Sequence, residues 1–126
     1  MTKSCSLLVV DDDRAVREAI TRVLEAEDYE VSSASCSKDA FRHFSEKKID
    51  IVLLDLSLGQ EKGWEIFHAL KKCRPGLPII VTSARSDELA HSSANDASGV
   101  LEKPFDVPVL LNLLKRVNEP VTGVDR

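Results

Sequence analysis

Five side chains of this sequence are of types that can do chemistry together: Asp11, Asp12 and Asp55, with Thr82 and Lys103. Carboxylates brought close to one another repel, and each raises the pKa of its neighbours unless a cation intervenes. The three aspartates form a plausible hard-oxygen site for Mg²⁺, which prefers one or two carboxylates together with waters and phosphate oxygens. Such an ion would also screen an approaching phosphoryl group. Asp55 stands alone after an apolar run, so it can act as a carboxylate nucleophile and form an aspartyl phosphate. That transfer needs positioning and charge neutralisation more than acid–base help. Lys103 supplies a fixed positive charge and Thr82 a hydroxyl donor.

These residues share a position in the chain's pattern. Leu7 to Val10 ends on Asp11-Asp12-Asp13, Ile51 to Leu54 on Asp55, Ile79 to Val81 on Thr82, and Val100-Leu101-Glu102 on Lys103-Pro104. Short apolar runs read as strands of a parallel sheet buried on both faces, and in open α/β sheets chemistry gathers at the carboxyl ends of the strands. The four endings should therefore meet.

Between them the apolar period lengthens to that of helices. Val16, Ala19, Ile20, Val23 and Leu24 mark a first amphipathic helix, with Asp13 as its N-cap rather than a ligand. Tyr29 to Ala34 reads as the second strand, and Ser37 as the cap of a helix carrying Ala40, Phe41 and Phe44. The third strand, Ile49 to Leu54, leads through a loop at residues 57–63 to a helix with Trp64, Ile66, Phe67 and Leu70. Arg74-Pro75-Gly76 stops that helix. Leu77 to Val81 is the fourth strand. Within Ser86 to Ser98 a helix can start at Asp87, but Leu89 is its one large apolar residue, so it should be weakly anchored. Gly99 to Glu102 is the fifth strand, before a helix from about Pro108 to Asn118. Five alternations of strand and helix predict a doubly wound five-stranded parallel sheet flanked by helices, with right-handed crossovers.

The 126 residues fit a single domain, with a core at about 6–118 and a short tail at 119–126. Cys5, Cys36 and Cys73 are odd in number and far apart, which suggests small packing residues rather than a disulfide framework or zinc site. A net charge of −4, with no Lys/Arg cluster beyond two adjacent residues, argues against nucleic-acid binding. No stretch is apolar enough to suggest a signal peptide or membrane span, so a cytoplasmic protein is expected.

Four motifs together resemble one family. Asp11 to Asp13, the lone acid in IVLLDLSLGQEKGWE, VTSA at Val81 to Ala84 and EKPF at Glu102 to Phe105 are similar to the receiver domain of two-component response regulators, a flavodoxin-like fold. The resemblance spans Leu7 to Val117. It implies that Asp55 accepts a phosphoryl group from a histidine kinase or phosphotransfer protein, in a signalling role rather than as a turnover enzyme. It also implies that Asp12 ligates Mg²⁺ directly, that Asp11 does so directly or through water, and that Asp55 and the backbone carbonyl of Ser57 are further ligands. Thr82 and Lys103 would bind the phosphoryl oxygens, and Lys103-Pro104 would be a cis peptide, a form cheap only before proline.

Two departures bear on how a signal leaves the pocket. Val100 stands where the family usually carries an aromatic switch residue, and GQEKG after Asp55 lacks the common proline and the acid before glycine. A switch-less interaction module is therefore one rival. Another is a phosphohydrolase of the haloacid dehalogenase type with Asp11 as nucleophile, although Ala15 sits where that family's DxDxT signature wants Thr or Val. His43, His68 and His91 read as solvated surface histidines. Val107 and Leu111 fall off the core face of the last helix, where an apolar patch could serve a partner or a homodimer. The output partner is left open.

Overall fold

The computed structural model describes residues 5–118, and the expected tail at 119–126 lies outside them. The chain runs β1 (Ser6–Val10), α1 (Arg14–Ala26), β2 (Glu30–Ala34), α2 (Ser37–Glu46), β3 (Ile51–Asp55), a two-residue ladder of β4 (Ser57–Leu58) and β5 (Glu61–Lys62), and α3 (Gly63–Cys73). It continues with β6 (Ile79–Ser83), the single turn α4 (Ser86–Leu89), a 3₁₀ turn (Ser92–Asp96), β7 (Gly99–Glu102) and α5 (Val107–Asn118). The main sheet is parallel in the order β2-β1-β3-β6-β7. This is the expected doubly wound architecture, and its strand order reverses between β1 and β3, where a crevice opens at the carboxyl ends.

Strand alternation divides the core in two. Leu8, Val10, Val52, Leu54, Ile79 and Val81 face α2 and α3, meeting Ala40, Ile66, Phe67 and Leu70. Leu7, Val9, Ile51, Leu53, Ile80 and Leu101 face α1 and α5, meeting Leu24, Leu110, Leu113 and Leu114. Central β1, β3 and β6 are therefore apolar at nearly every position, whereas edge strand β2 alternates buried Ser32 and Ala34 with exposed Ser33.

The details correct several expectations. β3 and β6 run on to Asp55 and Ser83, so Asp55 and Thr82 are strand residues held by the ladder rather than loop residues. Ser37 is not the cap of α2: Cys36 holds that position without a side-chain bond, and the Ser37 N–H and hydroxyl both donate to Glu61. The helix expected within Ser86 to Ser98 is broken into α4 and the 3₁₀ turn. Leu111 packs against the core, and among the described residues the exposed large apolar side chains are Val100, Val107 and Val109. Cys5 is buried as expected, with burial and the nearby charge of Asp50 pushing its thiol up to about 11, but Cys73 is exposed.

His68 and His91 are exposed, as expected, yet both bond to Ser93, whereas His43 is half-buried. His68 Nε2 pairs with Ser93 Oγ at 2.8 Å, His91 Nδ1 accepts from the Ser93 N–H at 3.0 Å, and His43 buries an unpaired Nδ1. No helix of the described residues is long and apolar enough to cross a membrane.

Candidate functional site

β1 ends in Val10, and the next residues turn out of the sheet, with the Asp11 N–H donating to the Ala34 carbonyl of β2 at 3.0 Å. Asp11 is buried and its Oδ1 accepts the Asp13 N–H at 2.9 Å, which closes the turn into α1. Asp13 caps α1 by accepting from the Val16 N–H, as its position predicts, and takes no part in the pocket. Asp12, between them, is exposed. Asp55, at the end of the neighbouring strand, is 3% exposed. One carboxylate oxygen from each of Asp11, Asp12 and Asp55 lies within 4.8 Å of the others.

Lys103 reaches this cluster from the far edge of the sheet. Its Nζ donates to Asp11 Oδ2 and to Asp55 Oδ2, at 2.9 Å each, across 92 and 48 residues of chain. The peptide that follows it is cis, as expected. Burial alone would lower the ammonium's pKa, but the hydrogen bonds and charges of Asp11 and Asp55 outweigh it and hold Lys103 above its ordinary range. Asp55 is also raised. Burial is the larger cause and the charge of Asp11 adds to it, against the lowering effect of the Ser57 N–H, 2.9 Å from Oδ1, and of Lys103.

Thr82 is buried and lies opposite Asp55 in the β3–β6 register, and its carbonyl accepts the Leu56 N–H at 2.8 Å. Ser57 bonds Asp55 through its N–H, while its hydroxyl turns to Glu88. Gly59 takes φ +59°, a conformation that glycine adopts freely, and this brings the loop to the rim beside the Asp12 carboxylate. All six expected residues thus gather at the carboxyl ends of β1, β3, β6 and β7.

Three residues at the rim were not foreseen. Arg17 donates to the Asp11 carbonyl at 2.8 Å, fixing the turn from above. Glu88 accepts from the hydroxyls of Ser57 and Ser83. The helical spacing of Arg17 after Asp13 was a usable signal for the first. Ser83 and Glu88 are five residues apart, but nothing in sequence spacing joins Glu88 to Ser57, 31 residues away.

A carboxylate cluster around one ammonium, open to solvent at Asp12, suits a divalent cation and an anionic phosphoryl group. Comparison with known proteins agrees in kind. The family model of the response regulator receiver domain matches residues 7–115. The chain is 33% identical over 113 residues to the DNA-binding transcriptional regulator NtrC of Bradyrhizobium sp. (strain RP501 Parasponia), covering 88% of this chain and 24% of that protein. It is 35% identical over 124 residues to the response regulator MprA of Mycobacterium sp. (strain KMS), covering 94% of this chain and 54% of that one. These relatives are therefore longer than the present sequence. Among solved structures, the response regulator TrrA of Thermotoga maritima in complex with Mg(2+)-BeF superimposes with a TM-score of 0.83 at 27% identity, covering 90% of this chain and 98% of that chain. The phosphohydrolase rival and the switch-less module gain no support from these matches. With the order of its sheet, the convergence of its acidic strand ends and a family match over nearly its full length, the chain belongs to the response regulator receiver domains.

Proposed function

We propose that Asp55 is the phosphoacceptor of this receiver domain, and that Asp11, Asp12, Asp55 and the Ser57 carbonyl hold Mg²⁺ beside it. The observation that carries this reading is the bridge of Lys103 Nζ to both Asp11 and Asp55, which ties the two carboxylates of adjacent strands to one cation. Three carboxylates against one ammonium leave the pocket with excess negative charge, the condition under which a divalent cation is favoured. When bound, Mg²⁺ supplies charge neutralisation for the phosphoryl oxygens.

An Asp55 carboxylate oxygen forms a bond to phosphorus as the bond from phosphorus to the donor's leaving atom breaks, and the electron pair departs with that atom. Lys103 and the Thr82 hydroxyl hold phosphoryl oxygens. Lys103 is already in contact with the nucleophile, so little reorganisation is required. Turnover is confined to the domain's own phosphorylation and hydrolysis. The donor is a histidine kinase or a phosphotransfer protein, and the output partner is selected by a surface that responds to the pocket.

Incubation with a small phosphodonor and Mg²⁺, followed by peptide mass spectrometry, is expected to find the phosphoryl group on Asp55, and Asp55→Asn is expected to abolish it. Phosphate found on Asp11 would overturn the assignment in favour of dehalogenase-type chemistry.

A further inference from the structure

Phosphoacceptor chemistry does not account for Glu88. Its carboxylate sits on α4 and accepts from two hydroxyls through the same oxygen: Ser57 Oγ at 3.0 Å and Ser83 Oγ. Both serines are tied by their backbones to the pocket. The Ser57 N–H donates to Asp55 Oδ1, and the Ser83 carbonyl accepts the Lys103 N–H at 2.8 Å. On its other side, the Glu88 carbonyl accepts from Trp64 Nε1 at 2.9 Å, and the Trp64 ring stacks on His91 with centroids 5.0 Å apart at 23°. A half-buried acid thus stands between the Asp55 pocket and the stack of Trp64, on α3, with His91.

We infer that Glu88 is a positioning residue that reads the charge on Asp55: the Ser57 and Ser83 hydroxyls clasp its carboxylate at the pocket rim, and a phosphoryl group on Asp55 expels it, carrying α4 and the Trp64 contact with it. This rests on the phosphoacceptor reading and names how that site is regulated. A phosphoryl group brings roughly one and a half to two negative charges and three strong acceptors. Those acceptors compete for the hydroxyls that Glu88 uses, and the charges repel its carboxylate in surroundings less screening than water. α4 is one turn long, and Leu89 alone of its residues packs against the core, so loss of the clasp suffices to shift its population. Such a relay runs through α4 and Trp64 and needs no aromatic at Val100.

Trp64 is the chain's single tryptophan, so its fluorescence reports α4 without competing signals. Wild type and Glu88→Gln are each titrated with beryllofluoride and Mg²⁺, and each is phosphorylated with acetyl phosphate while the adduct is followed by intact mass. Glu88→Gln keeps one oxygen able to accept both hydroxyls and removes the charge. It is expected to take up phosphate roughly three- to tenfold faster and to lose about half or more of the Trp64 emission change. The double variant Ser57→Ala, Ser83→Ala, which releases Glu88 without touching its charge, is expected to show the shifted emission before beryllofluoride is added. If Glu88→Gln matches wild type in rate and emission while Asp55 is phosphorylated normally, the inference is overturned and the phosphoacceptor reading stands. If wild type takes no phosphate on Asp55, that reading falls and the inference with it.

Discussion

Lys103 is the residue on which the pocket depends most. Two carboxylates buried at adjacent strand ends repel each other, and one ammonium 2.9 Å from both makes their burial tolerable. Removing it leaves both charges uncompensated, so Lys103→Ala is expected to cost about 3 kcal/mol in urea unfolding at pH 7. Without Lys103, which lowers it, Asp55 takes up a proton more readily, so that deficit should shrink toward pH 5; a deficit independent of pH would argue against an ionic role. Wild type has its own linkage. Lys103 is held above 10.5 in the fold, so the stability it confers is fully present below that pH and is lost as pH rises through its raised folded value. Asp55 behaves oppositely to a paired surface acid. Its raised pKa means that ionisation opposes folding.

At the scale of elements, the register of β3 against β6 sets Asp55 opposite Thr82, and the turn after β3 must return at once to start α3. Gly63 permits this. A Cβ there would lie 2.3 Å from the Leu56 Cα and 2.6 Å from its carbonyl oxygen, both backbone atoms that cannot yield separately from Asp55. Gly63→Ala should therefore destabilise by about 2 to 3 kcal/mol by chemical denaturation and slow phosphorylation as well. Gly99→Ala meets the Leu113 side chain rather than backbone and should cost less, a contrast that tests whether the clash is with backbone. The central strands β1, β3 and β6 were legible from sequence because two-sided burial writes itself as a nearly unbroken apolar run. The segment from Ser86 was legible only as weak. Its break into α4 and a 3₁₀ turn follows from partners in α3 and β4, namely Trp64, His68 and Ser57, which local spacing does not reveal. The role of Ser37 was misread for the same reason: its hydroxyl had a distant carboxylate available and did not cap.

For the molecule as a whole, metal binding and folding are linked. A ligand that binds only the native pocket stabilises it by mass action, by about 2.7 kcal/mol at a hundredfold excess over Kd. Calorimetry should therefore show Tm rising with Mg²⁺ in wild type, and this rise should vanish in Asp12→Ala, whose exposed side chain leaves the fold intact. A rise that survives in the variant would remove Asp12 from the ligand set.

Taken alone, the sequence determined the five strands of the main sheet and the helices α1, α2, α3 and α5, because those follow from apolar periods and turn residues within a few positions of one another; it did not show the β4–β5 ladder in the expected loop at residues 57–63 or the break after α4. It also determined that the acids, Thr82 and Lys103 terminate strands. Only the tertiary structure decided that Lys103 bridges Asp11 and Asp55, and that Glu88 is clasped by Ser57 and Ser83. Such contacts join residues far apart in the chain. They depend on the order in which strands pair and on where a loosely held helix comes to rest, and both are set by packing over the whole sheet rather than by local preference.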